Sequence, residues 1–416
     1  MTIGSLSRRS LVPIDEFFES KEVLFRDAAI VFAFLSVTIA FATTTNSSRV
    51  AIEFVRILSV LALFAVVAVL AFKDQRVQRS TLLAIGLFAL FFLYGLVLAV
   101  GNGGLVYIEE SLLRDFLLTA VLVYVFSKNS REIVSERAAK FIISSGVFVV
   151  ALTIYYSGLD FSYPPRFHFE YSSNLLDRTT AYSQGVSKFY GLLALVSAYL
   201  SVKAFDATRV LFYVVMMLFF LMLSALGGAR GDSLAAIFLA LGYVFVFGKI
   251  SQRFILMGLA SLLFGYLAFS LSFSDFTLVA RLQSLDGGMG AREDLYLKAL
   301  ELVGSNSTCS YFGCGFAYFQ KYYGLGAAYY PHNFFLELVI VFGIPLSLIL
   351  IALAIGGVIV DGGEYRSRNH LFLLVLGFFF LIQLKSGALL SAWWLMAGVF
   401  WLGSRALSSM SAYFSR

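Results

Sequence analysis

The sequence predicts an all-α polytopic membrane protein of about twelve transmembrane helices, and three observations carry that prediction. Of its 416 residues, 60% are hydrophobic and only 13% charged, with a mean hydropathy of +0.86, whereas a soluble domain is about one quarter charged. Apolar runs close to the ~20 residues that cross a hydrocarbon core recur along the chain. Lys and Arg gather in alternate loops, as they do when one side of a membrane is cytoplasmic. A soluble fold would have to hide a dozen helices that are apolar all round, which a chain of this size cannot do.

The elements follow in order. The N-terminal stretch MTIGSLSRRSLVPIDEFFESKEVLFRD is charged and has no signal-peptide core. Its residues 11–25 have the pattern of a helix lying on the membrane surface. Spans are expected at 27–43, 51–72, 82–100, 113–127, 140–157, 187–205, 209–226, 231–248 and 253–273, and then at 333–357, 370–384 and 387–403. With the N-terminus inside, the inner loops are 73–79, 127–140, 203–209, 249–253 and 361–370. Together with the termini they hold 19 Lys/Arg against 11 Asp/Glu, a net of +8, while the remaining 12 and 14 leave −2 outside. Both termini then face the cytoplasm, which requires an even number of spans. Residues 1–416 read as one integral membrane domain with two long periplasmic loops, 158–186 and 274–332. No internal repeat or low-complexity tract is found; the compactness of the chain and the absence of organelle-targeting signals lead to the expectation of a bacterial inner membrane. No nucleic-acid partner is expected.

Basic residues on the outer side run against the topological bias and need a reason. Arg49 and Lys385 read as markers of membrane ends. Arg56 with Glu53, and Arg114 with Asp115, have the spacing of local ion pairs. Arg230 is different. It lies in the turn LGGARGDS, where glycines allow close approach of backbone to a ligand and the next helix offers its N-terminal N–H groups to an anion. Arg281 and Arg292 flank the Gly-rich turn of RLQSLDGGMGAREDLYLKALELVG, ahead of an amphipathic helix whose apolar positions are Leu295, Ala299 and Leu302. Arg178 ends the first long loop, which also carries Phe161, Tyr163, Phe167, Phe169 and Tyr171. Those rings suit sugar faces or an interfacial aromatic belt equally well. Together the arginines suggest an anion site, because guanidinium binds phosphate bidentately and stays charged. Cys309 and Cys314 share the second loop, as a disulfide or as two thiols.

One of only three histidines, His332, stands in YYPHNFFLEL at the mouth of the tenth span. Asn333 and Glu337, four apart, share a helix face there. His332 or Asn333 reads as a helix cap after Pro331. Beside phosphate-holding arginines, a neutral imidazole could also accept a proton from an attacking hydroxyl.

The runs ARGDSLAAIFLALGYVFVF, GMGAREDLYLKALELV, YFGCGFAYF and PHNFFLELVIVFGIP, over about 175–360, resemble the membrane core of the O-antigen ligase and polymerase superfamily of bacterial surface polysaccharides. Arg230, Arg292, Gly313 with Gly315, and His332–Asn333 with Leu336 match that family's ordered pattern. Ala229 stands where the pattern often has Ser, and the region of Arg178 matches only loosely.

The resemblance implies a GT-C-like glycosyltransferase fold. Its donor would be a glycan on undecaprenyl pyrophosphate. An acceptor hydroxyl would attack the anomeric carbon at the periplasmic face, and lipid pyrophosphate would leave. Arg230 and Arg292, with Arg281 and Arg178, would hold the pyrophosphate. His332 would be the base, with Asn333 and Glu337 supporting it. No cofactor is implied, and a chain-length regulator is a possible partner. No outer Asp-x-Asp motif is present, and Glu109–Glu110 and Glu293–Asp294 are only adjacent acidic pairs, so no metal is expected.

A polymerase would extend another lipid-linked repeat, and a ligase would transfer to lipid A core. The His-Asn-Phe-Phe-Leu-Glu wording favours the polymerase. A transporter or flippase is the alternative from another class. It suits twelve spans but not the lack of repeats, nor ionisable residues crowded at the outer ends.

Overall fold

The computed structural model describes residues 14–42, 46–73, 78–107, 112–128, 133–157, 159–160, 166–167, 184–270, 291–326, 329–361, 369–386, 389 and 392–414. Each expected span coincides with an α-helix: α1 (Ile14–Thr38), α2 (Asn46–Lys73), α3 (Arg79–Gly101), α4 (Leu112–Lys128), α5 (Glu136–Ser157), α6 (Gln184–Lys203), α7 (Ala207–Leu226), α8 (Arg230–Phe247), α9 (Ile250–Ser270), α13 (Phe334–Asp361), α14 (His370–Ser386) and α15 (Trp393–Phe414). Between α9 and α13 lie three helices of the second long loop: α10 (Ala291–Ser305), α11 (Ser307–Phe312) and α12 (Tyr318–Tyr323). Among the described residues six helices, α2, α3, α5, α6, α7 and α13, are long and apolar enough to cross a membrane. Shorter apolar stretches occupy α8 and α14. The described residues are thus all-helical and membrane-embedded in character, apart from a two-residue antiparallel pairing of Leu159–Asp160 with Arg166–Phe167.

Three features differ from expectation. Instead of a surface helix followed by a span, α1 runs unbroken from Ile14 to Thr38 and closes with a 3-10 turn, Ile39–Ala42. The last helix begins at Trp393, later than the expected 387. Helix α13 is broken inside its apolar run: Gly343 is non-helical, with φ 78° and ψ 161°, and Pro345 follows two residues later.

Helix α6 is the centre of the bundle. Apart from half-buried Lys188, every residue from Val186 to Ser201 is buried, against α5, α7, α8 and α14. In a bilayer this burial exchanges lipid contact for protein contact, so close packing and interhelical hydrogen bonds carry the association. Gly191 supplies the close packing: a Cβ there would lie 2.9 Å from the Ala236 methyl and 3.0 Å from the Phe378 ring. The hydrogen bonds come from three serines. Ser187 Oγ donates to the Ser224 carbonyl (2.8 Å), Ser224 Oγ to the Ser187 carbonyl (2.8 Å), and Ser233 Oγ to the Ser224 carbonyl (2.8 Å). Each such bond is worth about 0.6–2 kcal/mol in a membrane. Together they tie the α7–α8 turn to the first turn of α6.

Candidate functional site

The site is assembled at the end of the bundle where α6, α8 and α13 begin and α14 ends. The break in α13 positions it. Pro345 has no N–H for the Val341 carbonyl, and the turn at Gly343 takes the next donor away from Ile340. Exposed to lipid, two such carbonyls would each cost several kcal/mol. The second long loop satisfies them: Cys314 N donates to Ile340 O (2.7 Å) and Gly315 N to Val341 O (3.1 Å). The same loop reaches α3 through Phe316 N to Gly95 O (3.3 Å), Asn102 Nδ2 to Cys314 O (3.0 Å) and Tyr94 OH to Phe312 O (2.5 Å).

Only glycine fits this wedge. Gly313 and Gly315 have φ of 80° and 82°. A Cβ on Gly315 would lie 2.3 Å from Ala99 N, and one on Gly313 2.4 Å from Val341 O. Cys309 and Cys314 are joined as a disulfide that closes this segment.

The wedge holds α10 over the start of α13. Leu295, Ala299 and Leu302, the expected apolar face, are buried together with Phe319 and Ile340. Glu293 and Asp294 occupy the first turn of α10, where carboxylates favour the helix dipole, and both are exposed. Among the described residues no group of three or more His, Cys, Asp or Glu is placed to hold a metal ion. Glu109–Glu110 lie outside the described residues.

Asn333 is the cap of α13. Its Oδ1 accepts from Phe335 N (3.0 Å) and Leu336 N (3.1 Å), and its Nδ2 donates to Leu384 O (3.0 Å). Glu337 Oε2 accepts from Leu389 N (2.8 Å). The Asn333–Glu337 face is therefore bonded to the backbone of the last turn of α14 and of the segment after it, and these bonds do not go to the imidazole.

His332, freed from capping, has φ 54°. That left-handed conformation is uncommon for a non-glycine residue, although His and Asn are enriched in it. The Tyr330 ring packs on the imidazole at 4.1 Å between centroids. His332 Nδ1 is buried and has no hydrogen-bond partner. Burial first, and the nearby Arg292 charge second, push the imidazole below its ordinary pKa of 6.5, so the ring is a neutral base at pH 7. Burial first, with Glu337 adding to it and Arg292 opposing it, raises the Tyr330 phenol.

Arg292, in the first turn of α10 and half-buried, connects the rest. Its charge acts on His332, Tyr330, Lys188 and Asp232. Asp232 in turn feels Lys188 and Lys385. Arg230 begins α8, two residues before Asp232. The turn before it is held by Ala229 N donating to Ser187 Oγ (3.1 Å), and Gly227 lets the chain pass Ser187, whose Oγ would lie 2.5 Å from a Cβ. Of the expected site residues, Arg292, His332, Asn333 and Glu337 are brought to this end, with Arg230 in the adjoining turn. Arg178 and Arg281 lie outside the described residues, as do Phe161, Tyr163, Phe169 and Tyr171. Arg56 and Arg114 are spoken for as expected: Arg56 Nη1 contacts both Glu53 oxygens (2.8 and 3.0 Å), and Arg114 Nε contacts Asp115 (3.1 Å).

Sequence reasoning missed Lys188 and Asp232 and gave Lys385 only a topological part. The available signal was an ionisable residue inside an otherwise apolar run, which in a membrane protein is a site candidate by default.

A small, mostly aromatic cavity of about 30 Å³ lies between α3, α4, α13 and α15, apart from this site. The chain matches no protein-family model and no curated sequence.

Proposed function

We propose that the protein is an integral membrane glycosyltransferase that transfers a glycan from a lipid pyrophosphate to an acceptor hydroxyl at the periplasmic face of a bacterial inner membrane. In this reading the chain crosses the membrane twelve times in a GT-C-like arrangement, with both termini cytoplasmic and the 158–186 and 274–332 loops outside. The donor is an undecaprenyl-pyrophosphate-linked oligosaccharide and the acceptor another lipid-linked repeat, which makes the enzyme an O-antigen or exopolysaccharide polymerase. Transfer to lipid A core, as by an O-antigen ligase, is the second reading.

The observation that carries the proposal is a buried imidazole nitrogen left without a hydrogen bond, on a ring packed against Tyr330 at the mouth of α13. His332 Nδ1 has no hydrogen bond, and burial first, with the Arg292 charge second, favours its neutral form. The acceptor oxygen bonds to the anomeric carbon, and the carbon–oxygen bond to pyrophosphate breaks with its electron pair going to the leaving group. The acceptor proton passes to the imidazole. Arg292 and Arg230, with Lys188 and Lys385, stabilise the departing charge without reorganising. Chelators leave such a reaction untouched.

The break in α13 is the feature that favours a transporter, since discontinuous helices line many transport sites. Here the freed carbonyls of Ile340 and Val341 are taken by Cys314 and Gly315 and are closed to an ion.

Purified protein given lipid-linked repeats should lengthen them, with excess chelator present. Arg292→Ala and Arg230→Ala should each lower the rate about 10²–10³-fold, and Lys should rescue only partly because it lacks the planar fork. Wild-type rates in both variants would defeat the clamp. In cells, lipopolysaccharide ladders separate the acceptors: a polymerase null leaves one repeat on the core, and a ligase null leaves none.

A further inference from the structure

The wedge lies at a depth where a loop meets lipid. In the topology read from the sequence, loops 73–79 and 361–370 fall on one side of the membrane. Arg79 therefore opens α3, and Asp361 closes α13, at the same boundary. At about 1.5 Å per helical residue, Gly95 stands about 24 Å from Arg79, and Val341 about 30 Å from Asp361. The carbonyls of those two residues are the ones that take Phe316 N and Gly315 N. A hydrocarbon core is about 30 Å thick, so the wedge sits at its far edge, with residues 96–101 of α3 rising past it. Backbone at that level must be satisfied by protein, and the wedge meets the requirement. Cys309 N donates to Asn306 Oδ1 (3.1 Å), and Ser310 N and Gly313 N donate within the turn to Asn306 O and Cys309 O (3.0 Å each). Cys314, Gly315 and Phe316 donate to α13 and α3, and the Phe312 and Cys314 carbonyls accept from Tyr94 and Asn102.

Two side chains of the wedge turn the other way. Tyr311 and Phe312, at the end of α11, are 64% and 66% exposed, although their backbone is pinned between two membrane helices. Tyr311 O lies 2.4 Å from where a Cβ on Gly343 would sit, and Phe312 O takes the Tyr94 hydroxyl. Exposed apolar residues flank both attachment points: Leu93 and Val97 beside Tyr94 on α3, and Ile344 and Leu348 beyond Gly343 on α13. Both helices are long and apolar enough to cross a membrane, so lipid covers those faces, and the two aromatic rings stand between them. We infer that Tyr311 and Phe312 are a membrane anchor, whose rings enter the acyl-chain edge of the adjoining phospholipid leaflet and hold the second long loop on the bilayer. An apolar ring with a polar tip suits that boundary for tyrosine, and Phe312 adds apolar area alone. This lipid contact does not depend on what the charged end of the bundle transfers.

Fluorescence quenching by lipid tests this. Full-length Phe312→Trp and Tyr311→Trp are placed in phosphatidylcholine vesicles with and without bromine on the acyl chains. The native tryptophans, Trp393, Trp394 and Trp401, are buried, so the wild-type protein supplies the background. Each added indole should lose fluorescence to the brominated chains, and lose more to bromines near the headgroup than to bromines near the chain ends. Asp294→Trp, at an exposed charged position in the first turn of α10, should be spared by the brominated lipids and quenched by aqueous iodide. Should the tryptophan variants fail to fold, benzoylphenylalanine in place of Phe312 keeps the ring, and illumination should yield an adduct of phospholipid mass. Quenching by brominated lipid no greater than in Asp294→Trp, quenching by iodide alone, or a crosslinked pair of protein chains in place of the lipid adduct overturns the anchor.

Discussion

Two regions of this molecule place polar groups in the membrane domain, and they treat them in opposite ways. At the break in α13, the carbonyls of Ile340 and Val341 are exposed by Gly343 and Pro345 and are then fully satisfied by Cys314 and Gly315. At the α8–α13 end, Asp232 and His332 Nδ1 are buried and left without hydrogen bonds. Buried polar groups are nearly always paired, so exceptions mark stored strain or chemistry. The comparison separates a wedge that is architecture from a charged end that the proposed function makes the working part. The first should fail by unfolding, and the second by losing activity or changing affinity in a folded protein.

The largest effect expected is at the wedge. Gly315→Ala places a methyl 2.3 Å from Ala99 N at φ 82°, and backbone cannot move aside as a side chain can. Overpacking and left-handed strain together should cost on the order of 3–5 kcal/mol, read as lost membrane yield or a collapsed melting temperature. A normally folding Gly315→Ala would break the distinction on the architectural side.

Next comes His332→Asn. Asparagine tolerates the left-handed backbone, and Asn333 rather than His332 caps α13, so the variant should fold normally. Activity should fall about 10²–10⁴-fold, measured on lipid-linked repeats. An active variant would return His332 to a structural part and make another group the base.

Asn333→Ala sharpens the contrast within two neighbouring residues. It removes the cap and the tie to Leu384 and should cost about 1–2 kcal/mol of stability, while the fraction that folds keeps most of its turnover. A folded but inactive Asn333→Ala would show that the two neighbours cannot be separated.

The smallest effect is a pH dependence. The folded imidazole of His332 is held below 6.5, so folding favours its neutral form. That contribution to stability is present above the ordinary imidazole value and is lost as the pH falls through the lower, folded one. Melting temperatures between pH 7.5 and 5 should drop slightly more in wild type than in His332→Asn, and rates should stay near maximal until below pH 6.5. An acid limb above that value would contradict the burial of the ring.

The helices of the bundle were legible before the structure because each apolar run reports its own contact with lipid or core. The α10 face of Leu295, Ala299 and Leu302 was legible by the same periodicity, and Arg292 and His332 stood out as charge or imidazole beside a membrane helix. The sequence by itself thus determined the membrane class, the helix positions and part of the charged end. Tertiary structure alone decided the break in α13, because Gly343 and Pro345 permit a break only if some other segment supplies the missing donors. It also decided which of His332 and Asn333 caps, that Cys309 pairs with Cys314, and that Lys188, Asp232 and Lys385 come to the same end of the bundle. Those three lie on α6, α8 and α14 and span almost 200 residues of the chain. Periodicity records what one helix faces, but not which residue of a distant helix it faces, and charge compensation in a membrane is settled by that second fact.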